Sequence, residues 1–307
     1  MTVFSSRKFS KGLTPLGLSI LLALVLVAIA AAQDPGPLPS APASRVQAPP
    51  PPPPQNQNYH TAPPPQGIRS PGDNPVTKDP PTIPPDEIIK KFAAREAEFK
   101  LERDNYTYTQ AFSIQTLDDD NRPDGEYRMT SDIVFTPEGK RFEKVTFAPA
   151  NTLQRIMLSE QDLDDVRDVQ PFVLTTTELP KYNVTYVGRQ QVDELSTYVF
   201  DVAPKVIEKK QRYFQGRVWV DDKDMQIVMT DGKAVPDIIS KNNENVFPRF
   251  RTYRQNIEQG FWFPVYTRAD DYLHFRSGDV HIRMTIRYSN YKRYGSTVKI
   301  GTVREVK

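Results

Sequence analysis

The stretch VHIRMTIRY alternates without a break. Val280, Ile282, Met284, Ile286 and Tyr288 share one side, and His281, Arg283, Thr285 and Arg287 share the other. A period of two belongs to a strand that is dry on one face and wet on the other. That is the pattern of an antiparallel sheet covered on one side only. The same grammar fills most of the chain beyond Tyr106. In YTYTQAFSIQT, Tyr106, Tyr108, Phe112 and Ile114 oppose Thr107, Thr109, Ser113 and Gln115. Tyr127, Met129, Ile133 and Phe135 share a side, and a Pro137-Glu138-Gly139 turn leads into Arg141–Phe147. Further strands are expected over Tyr182–Gly188, Thr197–Val202, Phe214–Val220, Met225–Thr230, Phe250–Ile257, Phe261–Ala269, Tyr272–Phe275 and Val280–Tyr288.

Two helices interrupt this series. PPDEIIKKFAAREAEFKLERDNY carries Ile88, Ile89, Phe92, Ala93, Ala97, Phe99 and Leu101 near helical spacing, so a helix is expected over Asp86–Arg103. Prolines precede it, and Asp86 and Glu87 suit the positive end of its dipole. Ser159, with Asp162 three residues on, is a capping signature ahead of Leu163, Val166 and Val169. About ten strands, two helices and no strand–helix alternation exclude a parallel α/β fold. The expected fold is mainly β (α+β): one large, curved antiparallel sheet, or incomplete β-barrel, with helices covering its apolar concave face.

The first 85 residues belong to no such core. Arg7, Lys8 and Lys11 precede the uncharged apolar run Leu16–Ile29, and Ala30-Ala31-Ala32 offers small residues for cleavage. This reads as a signal peptide over residues 1–32, with an uncleaved membrane anchor as the alternative, although the run is somewhat short of the about 20 apolar residues a span needs. In both cases the product is exported. Residues 33–85 hold about two thirds of the 29 prolines, including Pro49–Pro54, and few large apolar residues. They are expected to form a disordered, polyproline-like spacer, with the folded domain spanning residues 86–307. A formal charge of +2 argues against nucleic acid, and the absence of cysteine excludes disulfides and thiolate chemistry.

Little in the sequence points to catalysis. In GRVWVDDKDMQIVMTDG, Asp221, Asp222 and Asp224 lie between two alternating runs, where aspartate is favoured as a turn residue. Counted from Asp222, a calcium loop would need Gly where Ile227 stands and Glu where Lys233 stands. A turn is therefore expected and no metal site. His274 and His281 are expected on exposed polar faces, and Arg268 with Asp270 or Asp271 in a surface ion pair. No nucleotide-binding or nucleophile-elbow motif occurs, so neither a catalytic residue nor a cofactor is expected. The aromatic and methionine residues of the apolar faces are mainly core, but so wide a sheet has little helix to fill it. Tyr106, Phe112, Met129, Tyr198, Phe200, Met225, Met229, Met284 and Tyr288 are the candidates to line an apolar cavity for acyl chains.

Trp219-Val220-Asp221 at a strand end and Trp262-Phe263-Pro264 in a later hairpin resemble two places in the outer-membrane lipoprotein-sorting (LolA/LolB-like) superfamily. The resemblance covers roughly Asp86 to Lys307. It implies a half-barrel whose concave side holds lipid or lipoprotein acyl chains in the periplasm or at the outer membrane, with envelope proteins or the membrane surface as further partners. The proline-rich segment is foreign to the soluble carrier, and the lipid-bearing cysteine of the membrane-bound receptor is missing. The alternative is a non-catalytic envelope scaffold with no ligand cavity, docking partners through its polar convex face.

Overall fold

The computed structural model describes residues 64–136, 139–169, 171–237, 248–258 and 260–293. The expected signal peptide and the expected spacer up to residue 63 lie outside the described residues. The elements are α1 (Pro85–Arg103), β1 (Tyr106–Leu117), β2 (Pro123–Phe135), β3 (Arg141–Phe147), α2 (Glu160–Asp164), β4 (Tyr182–Val192), β5 (Leu195–Pro204), β6 (Tyr213–Asp221), β7 (Ile227–Val235), β8 (Phe250–Glu258), β9 (Phe261–Phe275) and β10 (Gly278–Arg293). One π-helical turn, Asp165–Val169, prolongs α2. The α2 start is the capping box read from sequence: the Asp162 N–H donates to Ser159 Oγ at 3.3 Å, and the Ser159 N–H to Asp162 Oδ2 at 2.8 Å. The two strands expected over 261–275 are a single strand, β9.

All ten strands join one sheet in the order β3-β2-β1-β10-β9-β8-β7-β6-β5-β4. Every neighbouring pair is antiparallel, and the sheet does not close. Laid flat, the seven steps from β1 to β4 would span roughly 34 Å at about 4.8 Å per strand. Yet Tyr108 of β1, Phe135 of β2 and Tyr182 of β4 line one cleft, so the sheet bends back on itself. Facing glycines loosen the bend: Gly216 pairs with Gly232 across β6 and β7. A Cβ on Gly216 would sit 2.3 Å from the Asp231 carbonyl oxygen.

The concave face is packed. Ile88, Phe92 and Ala93 of α1 join Phe112, Ile114, Tyr198, Phe200, Val218, Ile227, Phe250, Met284 and Ile286 in a single buried cluster. Phe92 meets Phe200 at 5.6 Å between ring centroids. Farther along α1, Phe99 meets Phe263 edge-on at 5.2 Å, whereas Leu101, placed on the apolar stripe by spacing, is exposed. The helix also brings a charge inward. Glu96 accepts from the Arg254 guanidinium at 2.9 and 3.1 Å and from the Ile227 N–H at 3.2 Å. Burial pushes the Glu96 carboxyl above its ordinary range, with Arg254 pulling it back.

A second cluster lies on the convex face: Val192, Val199, Trp219, Val228, Met229, Tyr253, Trp262 and Tyr266. Its cover comes from residues 64–84, which were expected to belong to the spacer. Instead this strap lies across the sheet. Ile68 and Val76 pack on this cluster, and after Thr77 the chain rounds the β4 edge so that Ile83 packs on the concave one. Arg69 stands over the Trp262 ring at 5.5 Å, and the Gln255 amide donates to the Gly67 carbonyl at 2.6 Å. Thr77 and Arg189 exchange backbone bonds of 2.8 and 2.9 Å. They meet beside Gly188, whose φ of +155° and lack of Cβ admit the Thr77 carbonyl.

Candidate functional site

The three aspartates after β6 make the expected turn. Asp221 Oδ2 accepts from the N–H groups of Lys223 and Asp224 at 3.1 and 2.7 Å. Asp222 pairs with Arg189. Asp224 Oδ2 accepts from the Trp262 indole at 2.9 Å, which ties the Trp219 hairpin to the Trp262 hairpin. Among the described residues no cluster of three or more His, Cys, Asp or Glu side chains is placed to hold a metal.

Two polar expectations on the convex face are corrected. His281 is 1% exposed, not on an open surface, and Asp270 is 2% exposed. Asp270 accepts from His281 Nε2 at 2.8 Å, Arg283 Nε at 2.9 Å and an Arg268 terminal nitrogen at 3.0 Å, so the surface ion pair is a buried network. Tyr272 stacks on the His281 ring at 4.5 Å. Burial raises the Asp270 carboxyl, but the three donors outweigh it and bring it down to about 2. A carboxyl that acidic is a poor general acid or base near neutrality. His274 is exposed and pairs with Asp279 at 2.7 Å.

The nine cavity candidates do not share one site. Phe112, Tyr198, Phe200, Met284 and Tyr288 are buried in the concave cluster. The Tyr198 hydroxyl lies 2.5 Å from Thr82 of the strap, and the Tyr288 hydroxyl 3.5 Å from Thr267. Tyr106 is buried with Phe99 and Phe263 at the far end of α1. Met129 is half-buried beside the Tyr127 hydroxyl at 3.7 Å. Met225 sits in the turn at φ +52°. Met229 faces the convex side with Trp219 and Tyr253. The register jumps from Val220↔Ile227 to Trp219↔Met229, and this bulge sends Met229 to the opposite face from Ile227.

None of the nine lines the two clefts described next. A cleft of about 550 Å³ opens between α1, the segment after α2 and the two flanks of the bent sheet. Its walls include Tyr108, Phe135, Phe172, Tyr182, Tyr213 and Phe214. Phe172 stacks on Phe214 at 4.3 Å, and Tyr182 meets Tyr213 at 6.2 Å. Burial pushes the Tyr182 hydroxyl up to about 12. Around these rings stand Lys100, Arg103, Arg141, Arg167, Lys181 and Arg212. Most are paired: Arg141 with Glu143 at 3.0 Å, Arg167 with Asp164 at 2.9 Å, Arg212 with Asp165 at 2.5 Å and Lys181 with Glu178 at 3.0 Å. Lys100 has no ion pair among the described residues. A second space, about 740 Å³, lies on the convex side under the strap, with Trp219, Tyr253, Arg249 and Arg251 in its wall.

Fold and site together define an open, ten-stranded antiparallel half-barrel, wrapped on a helix and entered by a cleft at its mouth. No family model and no curated protein matches the sequence. Solved structures similar to the chain include a DUF1329 family protein from Desulfovibrio piger ATCC 29098, at 14% identity and a TM-score of 0.35, covering 70% of this chain and 95% of that one. Another is a putative outer membrane lipoprotein-sorting protein domain from Vibrio parahaemolyticus, at 12% identity and a TM-score of 0.31, covering 67% and 93%. MucB is similar at 9% identity and a TM-score of 0.24, covering 66% and 92%.

Proposed function

We propose that this protein is an exported, non-catalytic binding module of the cell envelope, and that its ligand is an acyl-bearing amphiphile, a lipid or an acylated lipoprotein. The ligand enters the mouth cleft and not the deep concave interior, which α1 and the strands already fill. The observation that carries this reading is the cleft itself. Its volume is within the roughly 300–1,000 Å³ of small-ligand sites, and its rings offer apolar contact within an otherwise polar wall that also holds Glu178 and Glu208. Lys100, without an ion pair among the described residues, is the cation left to meet a phosphate or carboxylate head. Burial of an acyl chain is worth about 0.8 kcal/mol per CH₂, so a short length held among these rings gives reversible binding. Export is supported by the basic and apolar N-terminal run.

The test is uptake of a fluorescent fatty-acid probe by delipidated protein, competed by phospholipid. Val173, part of the cleft wall, is the residue to enlarge. Val173→Trp is expected to weaken binding about tenfold, a loss of about 1.4 kcal/mol. Because Val173 also packs against Phe99, Tyr106 and Phe263, the unfolding midpoint is measured beside it, so that lost binding in a still folded protein is what counts. Failure of the parent protein to bind the probe at micromolar concentration counts against the proposal. The filled concave interior favours a second reading, an envelope scaffold without an acyl ligand, and that same negative result would support it.

A further inference from the structure

The open sheet has two ends, and they are finished differently. At β4 the strap closes the edge through the reciprocal Thr77–Arg189 bonds, and the Asn74 amide donates to the Gln191 carbonyl at 3.2 Å. At the other end no described strand lies beyond β3. Phe142, Val145 and Phe147 on β3 are 48, 51 and 52% exposed, and Met157 in the segment leading to α2 is also exposed. Protein sheets blunt such edges with charge, proline, bulges or a cover, because unpaired backbone groups beside apolar side chains recruit another strand. Here the guard is partial. Thr146 is set aside by a bulge, and Lys144 is exposed, with no ion pair among the described residues.

The register shows what an added strand would meet. Val145 lies opposite Ser131 and Glu143 opposite Ile133, both partners buried on the concave side. Phe142 lies opposite Val134 and Lys144 opposite Asp132 on the convex side. A neighbouring strand would therefore find apolar contact on both faces and a cation near its middle. Lys140, over the Phe142 ring at 5.3 Å, adds a second cation. Pairing with another copy fits less well. The fully overlapped two-fold register of residues 141–147 centres on Lys144 and sets it against its own counterpart, a like-charge pair.

We infer that the free edge of β3 docks an extended strand of a partner protein, with apolar residues at alternate positions and a carboxylate opposite Lys144. The backbone bonds supply affinity, and the side-chain alternation supplies selectivity. The edge adjoins the mouth cleft at Arg141, but the backbone groups it offers lie outside that cleft, and the inference stands whether or not the cleft takes an acyl chain.

The probe is a fluorescein-labelled octapeptide alternating valine with glutamate and threonine, titrated by anisotropy against the full chain. Micromolar binding is expected. The same peptide N-methylated at every second residue keeps its side chains and loses backbone donors. At about 0.5–1.5 kcal/mol per hydrogen bond, two lost bonds weaken binding about tenfold or more. The double variant Phe142→Lys/Val145→Lys is expected to weaken binding as much without moving the thermal midpoint, since both side chains are half exposed. Absence of peptide binding, equal binding of the N-methylated peptide, or equal binding by the double variant overturns the inference. So does a dimer in sedimentation that the double variant dissolves, because the edge then belongs to a second copy.

Discussion

Replacing Asp270 by Asn tests the buried network on the convex face. Asp270 accepts from His281, Arg283 and Arg268 within 3.0 Å and is almost inaccessible. Its carboxyl is brought from 3.8 down to about 2. At about 1.36 kcal/mol per pKa unit, that difference is worth about 2 kcal/mol of folding stability at neutral pH, allowing for partial screening. The sign follows from the depressed value. The folded protein holds the proton less tightly than the unfolded chain, so the contribution is present above about pH 4 and is lost as pH falls through about 2. Asn cannot titrate and turns an amide N–H₂ toward existing donors. Urea unfolding of both proteins from pH 7 to pH 2 should therefore show Asp270→Asn less stable by at least about 2 kcal/mol at pH 7. The gap should shrink by about that amount between pH 4 and pH 2. A gap that stays constant with pH would refute the assignment of the stabilisation to the ionised carboxylate.

Two further outcomes are expected. Arg254→Met strips Glu96 of its guanidinium and the Phe172 and Ile227 carbonyls of a donor. It should cost about 3–5 kcal/mol in denaturant unfolding, and adding Glu96→Leu should recover part of that loss; strict additivity in the double-mutant cycle would refute the coupling. Gly188→Ala places a Cβ 1.9 Å from the Thr77 carbonyl oxygen and should break the two strap bonds, for a loss of about 1–3 kcal/mol. Limited proteolysis should then cut within residues 64–84 sooner than in the parent protein, and unchanged cleavage there would show that the strap is held elsewhere.

Strands and helices were legible where periodicity was unmixed. The alternation in β10, the stripe of Ile88, Phe92, Ala93 and Phe99 on α1, and the Ser159–Asp162 capping box all have local causes. What escaped was set by tertiary contact. No residue type announces the extra residue at Val228, so Met229 could only be assigned to the face of Ile227. The strap looked like spacer because proline dominates residues 64–84, while its attachment depends on Ile68, Val76 and a backbone exchange at Thr77. Asp270 and His281 occupy alternating positions that look wet, and their burial reflects mutual satisfaction that spacing cannot display. The mouth cleft is built from Phe172, which lies outside the strands, and from Tyr182 and Tyr213, the first residues of β4 and β6; these are brought together by tertiary contact and not by any period along the chain.

The strap has a bearing on how the molecule would be presented. Pro64 belongs to the wall of the convex-side space, so the polypeptide enters the domain from behind, on the face turned away from the mouth. Any attachment made at Pro64 would hold the half-barrel by its back and leave the aromatic entrance unobstructed.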